Sequence, residues 1–235
     1  MLPTERSVAQ RKDSLRQTAG MALKRDRDQT PSDGRAAEVY RTAAQIILEK
    51  GYDATSVSDI AEALGITKAG LYHYIHGKTQ LLFDIMEYGL DELEREVAQP
   101  AKKIADAETR LRFMIGMHAR IVTRGEGAVT ILVDEARALT PAQNRKITQR
   151  KRAYLDLLRA TLREMKGERQ LRDVDLTVAA FSLLGMINWL SRWYQAGGSL
   201  DERQIAEAIV DIALNGLIPP AARGRRGLQA IRRNH

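Results

Sequence analysis

Cysteine is absent from this chain, which excludes both a disulfide framework and a thiolate metal site. Long apolar runs are missing as well. The longest, Val178 to Leu190, is broken by Ser182 and Asn188 and falls short of the ~20 residues that a bilayer-crossing helix needs. The N-terminal stretch is charged and lacks an apolar centre, so no secretory leader is expected and a cytoplasmic protein without a membrane partner is the simplest reading. The four histidines are scattered, and only His73 and His76 share a spacing that a metal could use, with no carboxylate beside them. No metal and no cofactor are therefore expected. Two further absences narrow the function: no alternating strand pattern comes after Pro100, and no convergent acid, base and nucleophile set marks an enzyme.

What is present begins with charge, and its location matters more than its size. The net charge of +7 sits in the ends: residues 1–33 carry seven Lys or Arg against five Asp or Glu, and residues 219–235 carry five Arg and no acid. The intervening body is neutral. Basicity alone thus says little about how the folded part meets nucleic acid, although tail arginines add sequence-independent affinity for phosphates. Residues 1–33 lack a sustained apolar period and read as a disordered extension, with a short helix around Val8 to Leu23.

The segment Gly51 to Lys78, GYDATSVSDIAEALGITKAGLYHYIHGK, has the spacing of a helix-turn-helix. Ile60, Ala61 and Leu64 form one face of a short helix, Gly65 supplies the stop, and Ile66, Leu71, Tyr74 and Ile75 give the next helix a matching face. Thr55 or Ser56 caps the first helix and Thr67 the second. Ala61 is small enough for a close crossing. From Ala63 to Phe83 there is no acidic residue, as a surface meeting phosphates requires. Arg35 to Lys50 supplies a supporting helix through Val39, Ala43, Ile46 and Ile47. A fourth helix opens at Lys78 and ends before Pro100.

The run from Ala36 through Leu82, with EKGYDATSV, DIAEALGITKAGLYHYI and GKTQLL, resembles the N-terminal domain of TetR-type transcriptional regulators. Departures are Ile75 and His76, where the family more often has phenylalanine and then a small or polar residue. The resemblance implies an all-α protein: a three-helix DNA-binding head over 34–80, a helical ligand-binding and dimerisation domain over 81–218, and a basic tail over 219–235. It implies a homodimer that represses transcription until a small molecule binds. Phosphate contacts are expected from Thr55 or Ser56, Thr67 and Lys78, with Tyr72 and Tyr74 giving a phenol to the backbone or packing. Base edges would meet Lys68, Ala69, Gly70 and His73.

Beyond Pro100 the pattern is helical in five segments: Asp106 to Arg124, Ala128 to Ala138, Pro141 to Lys166, Asp173 to Tyr194 and Asp201 to Leu217. The last two are more apolar than a monomer's surface, through Phe181, Leu184, Gly185, Ile205, Ile209, Ile212 and Gly216. On residues alone these serve either an internal core or an interface; the resemblance implies a four-helix interface with a two-fold mate, so that two reading helices about 34 Å apart meet a palindromic operator. A candidate pocket gathers Met114, Met117, His118 and Ile121 with Phe181, Met186, Asn188, Trp189, Arg192 and Trp193, residues that ordinary core packing also explains.

The stretch GMINWLSRWY before a glycine pair resembles the corresponding helix of TetR-type regulators of fatty-acid and steroid degradation, which respond to acyl-CoA thioesters. Arg145, Lys146, Arg150, Lys151 and Arg152 would then supply cations for the effector's phosphates. Two other readings stay open: a regulator of efflux or detoxification answering an aromatic or cationic compound, and a DNA-organising protein without sequence preference.

Overall fold

Helix is the regular structure throughout the described part of the molecule, a computed structural model that describes residues 31–124, 127–134, 136–168, 171–195 and 197–217. The expected helix around Val8 to Leu23 and the arginine-rich tail lie outside these residues. Among the described residues the order is α1 (Pro31–Lys50), α2 (Val57–Ala63), α3 (Lys68–Leu71), α4 (Lys78–Leu93), α5 (Ala107–Thr123), α6 (Ala128–Asp134), α7 (Pro141–Gly167), α8 (Leu176–Trp193) and α9 (Glu202–Leu217). No helix among them is long and apolar enough to cross a membrane. Of the two units into which the chain divides, Met1–Glu38 is described only through the first turns of α1, and Val39–His235 holds everything after it. Helix α1 includes residues 31–33, so the last residues of the expected extension are helical.

Local chemistry sets the boundaries. Ser56 caps α2 in a capping box with Asp59, Asp106 caps α5, Thr140 caps α7 in a second box with Gln143, and Asp175 caps α8. Each such cap contributes about 1 kcal/mol. Between α2 and α3 the chain reverses at Gly65, whose φ of 65° is one that other residues adopt only with strain.

Two expected boundaries are corrected. The fourth helix does not end before Pro100: α4 runs into a π turn, Glu94–Ala98, and a final turn, Gln99–Ala101. In that π turn the Gln99 N–H bonds the Glu94 carbonyl five residues back, and Pro100 then falls at the start of the final turn, where its missing N–H is tolerated. The segment Ala128 to Ala138 is not one helix. Ala128–Asp134 is α-helical and Ala136–Ala138 forms a 3₁₀ turn, leading into the extended backbone of Thr140 that Pro141 demands.

The core is continuous from head to body. Val39, Ala43 and Ile47 of α1 bury together with Ile60 and Ala61 of α2, Leu71 and Ile75 at α3, and Leu81, Leu82 and Ile85 of α4, in the same cluster as Leu111, Met114 and Ile115 of α5. Helix α5 is the hub of the body, packing on α7, α8 and α9. Close approach between α4 and α6 depends on Gly89, where a Cβ would stand 2.8 Å from the Ala128 carbonyl. Full burial of a leucine such as Leu71 is worth roughly 1.5–3 kcal/mol, which is why the short α3 holds its place without length of its own.

Candidate functional site

The surface expected to read DNA is built on a helix of only four residues. Thr67 opens α3 by accepting the Gly70 N–H at 3.0 Å, and the chain then tightens: Tyr74 N–H bonds the Leu71 carbonyl at 2.9 Å, three residues back. Leu71 and Ile75 are buried as anchors. The alternation leaves Thr67, Lys68, Ala69, Tyr72 and His73 exposed, while Gly70 and Tyr74 are half-buried. These expected contacts therefore share one surface, with no carboxylate in the sequence from Ala63 to Phe83. A Cβ at Gly70 would press on Thr67 Oγ1 at 3.2 Å.

Three expected phosphate contacts look different in three dimensions. Thr55 is 1% exposed and its hydroxyl donates to the Gly51 carbonyl at 2.8 Å, so it is not at the surface, and the cap falls to Ser56. The Ser56 hydroxyl donates to Asp59 Oδ2 at 2.6 Å. Lys50 reaches the other Asp59 oxygen at 2.9 Å, and the Ser56 hydroxyl, with Lys50 next, holds this carboxyl far below the usual range. Lys78 lies 4.3 Å above the Tyr52 ring and 3.1 Å from the Asp53 carbonyl, so its ammonium fastens the start of α4 to the loop before α2.

In the body, the candidate pocket residues separate into two groups. Met114, His118 and Ile121 are buried on α5, with Met117 half-buried. Phe181, Trp189, Arg192 and Trp193 lie on the outer side of α8, exposed, with Met186 and Asn188 half-buried. They do not line one cavity. The cause is the register of α8, which turns Ala179, Ala180, Leu183, Ile187 and Leu190 inward and leaves Val178, Phe181, Trp189 and Trp193 as an open apolar stripe, Trp189 being 64% exposed. Among the expected interface residues, Phe181, Gly185, Ile212 and Gly216 are exposed, Leu184 and Ile209 half-buried, and Ile205 is enclosed. Ile205 belongs instead with Ala206, Ala213 and Leu214, the buried face of α9, which packs on α5.

The basic run of α7 divides in the same way. Lys146 and Arg150 reach across to α4: Lys146 to Glu87 at 2.5 Å, and Arg150 to Glu87 at 3.2 Å and Asp91 at 2.6 Å. Lys151 donates to the Leu132 carbonyl of α6 at 2.5 Å, and burial lowers its pKa. These three hold helices together. Arg145 and Arg152 instead line an open groove of about 730 Å³ with Asn144, Thr148 and Gln149.

Sequence reasoning missed Tyr154. Its hydroxyl lies 3.2 Å from His118 Nδ1, with the rings edge to face at 5.5 Å between centroids. The apolar period Ile147, Tyr154, Leu158, Met165 was the available signal, because it turns Tyr154 towards α5. Desolvation lowers the His118 pKa to about 4, so its imidazole is neutral at physiological pH.

Comparison with known proteins agrees with this geometry. Residues 39–85 match the model described as bacterial regulatory proteins, tetR family, and residues 105–217 that described as Tetracyclin repressor-like, C-terminal domain. The chain is 29% identical over 203 residues to the HTH-type transcriptional repressor KstR2 of Rhodococcus jostii (strain RHA1), covering 82% of this chain and 96% of that protein. It is similar to AibR, whose crystal structure is in complex with isovaleryl coenzyme A and operator DNA, at 40% identity, 76% and 97% coverage and a TM-score of 0.69. It also resembles PfmR, a TetR family transcriptional regulator from Thermus thermophilus, at 32% identity, 75% and 97% coverage and a TM-score of 0.67.

Proposed function

Because the chain belongs to the TetR family of bacterial regulatory proteins, a family of regulators and not of enzymes, we propose that it is a repressor that grips a palindromic operator as a homodimer and releases it when an acyl-CoA thioester occupies the body. The observation that carries the effector reading is the 40% identity, over 97% of its length, to AibR, a protein crystallised with both isovaleryl coenzyme A and operator DNA. The acid-free surface of α3 supports the DNA half. Lys68, Ala69, Gly70 and His73 face base edges, and Thr67 and Tyr72 face phosphates. Ser56 contributes through the N-terminus of α2, its hydroxyl being engaged with Asp59.

Symmetry comes from the open stripe of α8 and α9. Phe181, Gly185, Trp189 and Ile212 would be covered by the same residues of a second copy, as a two-fold interface requires. Exposed apolar surface of this kind marks an interaction site on a soluble chain.

Release needs a path from body to head, and the packing offers one. Glu87 and Asp91 tie α4 to α7. Gly127, at the entry to α6, lies against Ala44 of α1, where a Cβ would stand 3.2 Å from the alanine methyl. An effector that favours one placement of α6 and α4 over another shifts the heads; one that binds both placements equally shifts nothing. The test is an electrophoretic mobility assay on operator DNA enriched from random fragments, with and without isovaleryl-CoA and a panel of longer acyl-CoAs. Release by a thioester but not by free coenzyme A is expected. Retention of DNA under every thioester, together with no thermal stabilisation by any of them, overturns the effector reading.

A further inference from the structure

The His118–Tyr154 pair is incomplete on one side. His118 is 3% exposed; its Nδ1 meets the Tyr154 hydroxyl, while its Nε2 is enclosed and has no hydrogen-bond partner among the described residues. Two tautomers fit the contact. In one, the Tyr154 hydroxyl donates to Nδ1, the ring proton sits on Nε2, and a single donor is left unmatched. In the other, Nδ1–H donates to the Tyr154 oxygen, which leaves both the phenol proton and a bare Nε2 unmatched. The first leaves fewer buried groups unsatisfied.

On this count, and resting on the effector reading above, the structure assigns His118 the role of a neutral donor, through Nε2–H, to a carbonyl oxygen of the effector's acyl group. The neighbours suit an acyl group. Met114 is one turn before His118 on the same face of the helix, and its Sδ lies 4.0 Å from the Thr161 hydroxyl; an unbranched thioether side chain re-packs around an incoming chain more readily than a branched one. A neutral donor also selects among acyl compounds. The next cation along α5, Arg120, projects about 200° around the helix from His118 and directs a guanidinium nitrogen to Met117 Sδ at 3.9 Å. A free carboxylate would thus lose its water against an uncharged imidazole, whereas a thioester or ketone loses little. Tyr154 is the positioning residue, because it fixes which nitrogen carries the proton.

The tests use the full chain. Nitrogen-15 NMR of the imidazoles at pH 7, without any effector, should place the His118 proton on Nε2; a proton on Nδ1 overturns the assignment. Titration calorimetry then compares isovaleryl-CoA with the thioether analogue that lacks the carbonyl. The wild-type chain should prefer the thioester by about ten-fold, one good hydrogen bond, and His118→Phe should lose that preference while keeping its affinity for the thioether. His118→Phe removes the unmatched Nε2–H but leaves the Tyr154 hydroxyl without its acceptor, so it should melt close to wild type without ligand, and a lost preference at unchanged melting cannot be blamed on misfolding. Tyr154→Phe should reduce the preference in part. A preference that survives His118→Phe overturns the role of His118 alone, whereas failure of the wild-type chain to bind isovaleryl-CoA overturns the effector reading and the assignment with it.

Discussion

The cation of the proposed reading helix stands in the open, whereas Lys146 and Arg150 of α7 are locked to carboxylates. Lys68 is exposed on a stretch that contains no acid. Lys146 and Arg150, four residues apart, face Glu87 and Asp91, also four residues apart, on α4. Both kinds of residue read as candidate phosphate contacts along the chain. What distinguishes them is whether the fold brings a carboxylate opposite. A charge without one is available to a partner, and a charge with one is part of the frame. The two sides of α8 differ in a parallel way. The inner side is sealed by Leu183, Ile187 and Leu190, and the outer side leaves Trp189 and Phe181 uncovered.

The sharpest way to break this contrast is on the uncovered side. Trp189→Glu should convert dimers to monomers in sedimentation and lower operator affinity by about a hundred-fold, roughly 2.7 kcal/mol, because a lone head reads too few base pairs. Its melting by circular dichroism at low protein concentration should change little, since the residue is 64% exposed in the single chain. Dimers of unchanged affinity would place the interface elsewhere.

A buried counterpart of comparable size is pH. His118 has a folded pKa of about 4, below the ~6.5 of an unfolded histidine. As pH falls the unfolded chain takes up this proton first. There is no penalty above about pH 6.5, and a destabilisation that grows to on the order of 3 kcal/mol as pH approaches 4. Urea melts of wild type and His118→Phe at pH 7 and pH 4.5 check this, since the variant should lose less stability than wild type over that interval.

The head was legible because its function sits on its surface in a fixed spacing. Ile60, Ala61, Gly65, Leu71 and Ile75 could each be assigned from period and turn chemistry, and the exposed Lys68, Ala69 and His73 follow by elimination. Thr55 misled because a threonine beside a cap position has the same sequence signature whether its hydroxyl faces out or bonds back to the Gly51 carbonyl. The body was legible as helices but not as a site. Ile205 and Ile212 are both apolar and stand seven apart on one helix, yet Ile205 is buried and Ile212 faces out, a distinction set by where the neighbouring helices lie. Tyr154 pairs with His118 across 36 residues, and no local rule reaches that far. Pro100 shows the limit of a sound rule: the π turn before it changed the hydrogen-bond register and let the helix continue.

The remaining prediction sets Lys68 against Arg150. Lys68→Ala should weaken operator binding by about 1–3 kcal/mol if it reads a base. If it meets only phosphate, the loss should be uniform across sequences and the salt slope should fall by about one. Melting should be unchanged in either case, since Lys68 makes no described contact that holds the head. Arg150→Ala should do the reverse. It leaves the salt slope alone, because its guanidinium faces Glu87 and Asp91 and not the DNA, and it lowers stability by about 1 kcal/mol, towards the upper end for a partly exposed pair because one arginine serves two carboxylates. The loss should shrink when Asp91 is already alanine, so a double-mutant cycle in urea isolates the coupling. Zero coupling, or a salt slope that moves with Arg150, would mean that α7 does not hold α4 through this pair, and the distinction between reading charges and framing charges would then fail where the body meets the helix that carries the head.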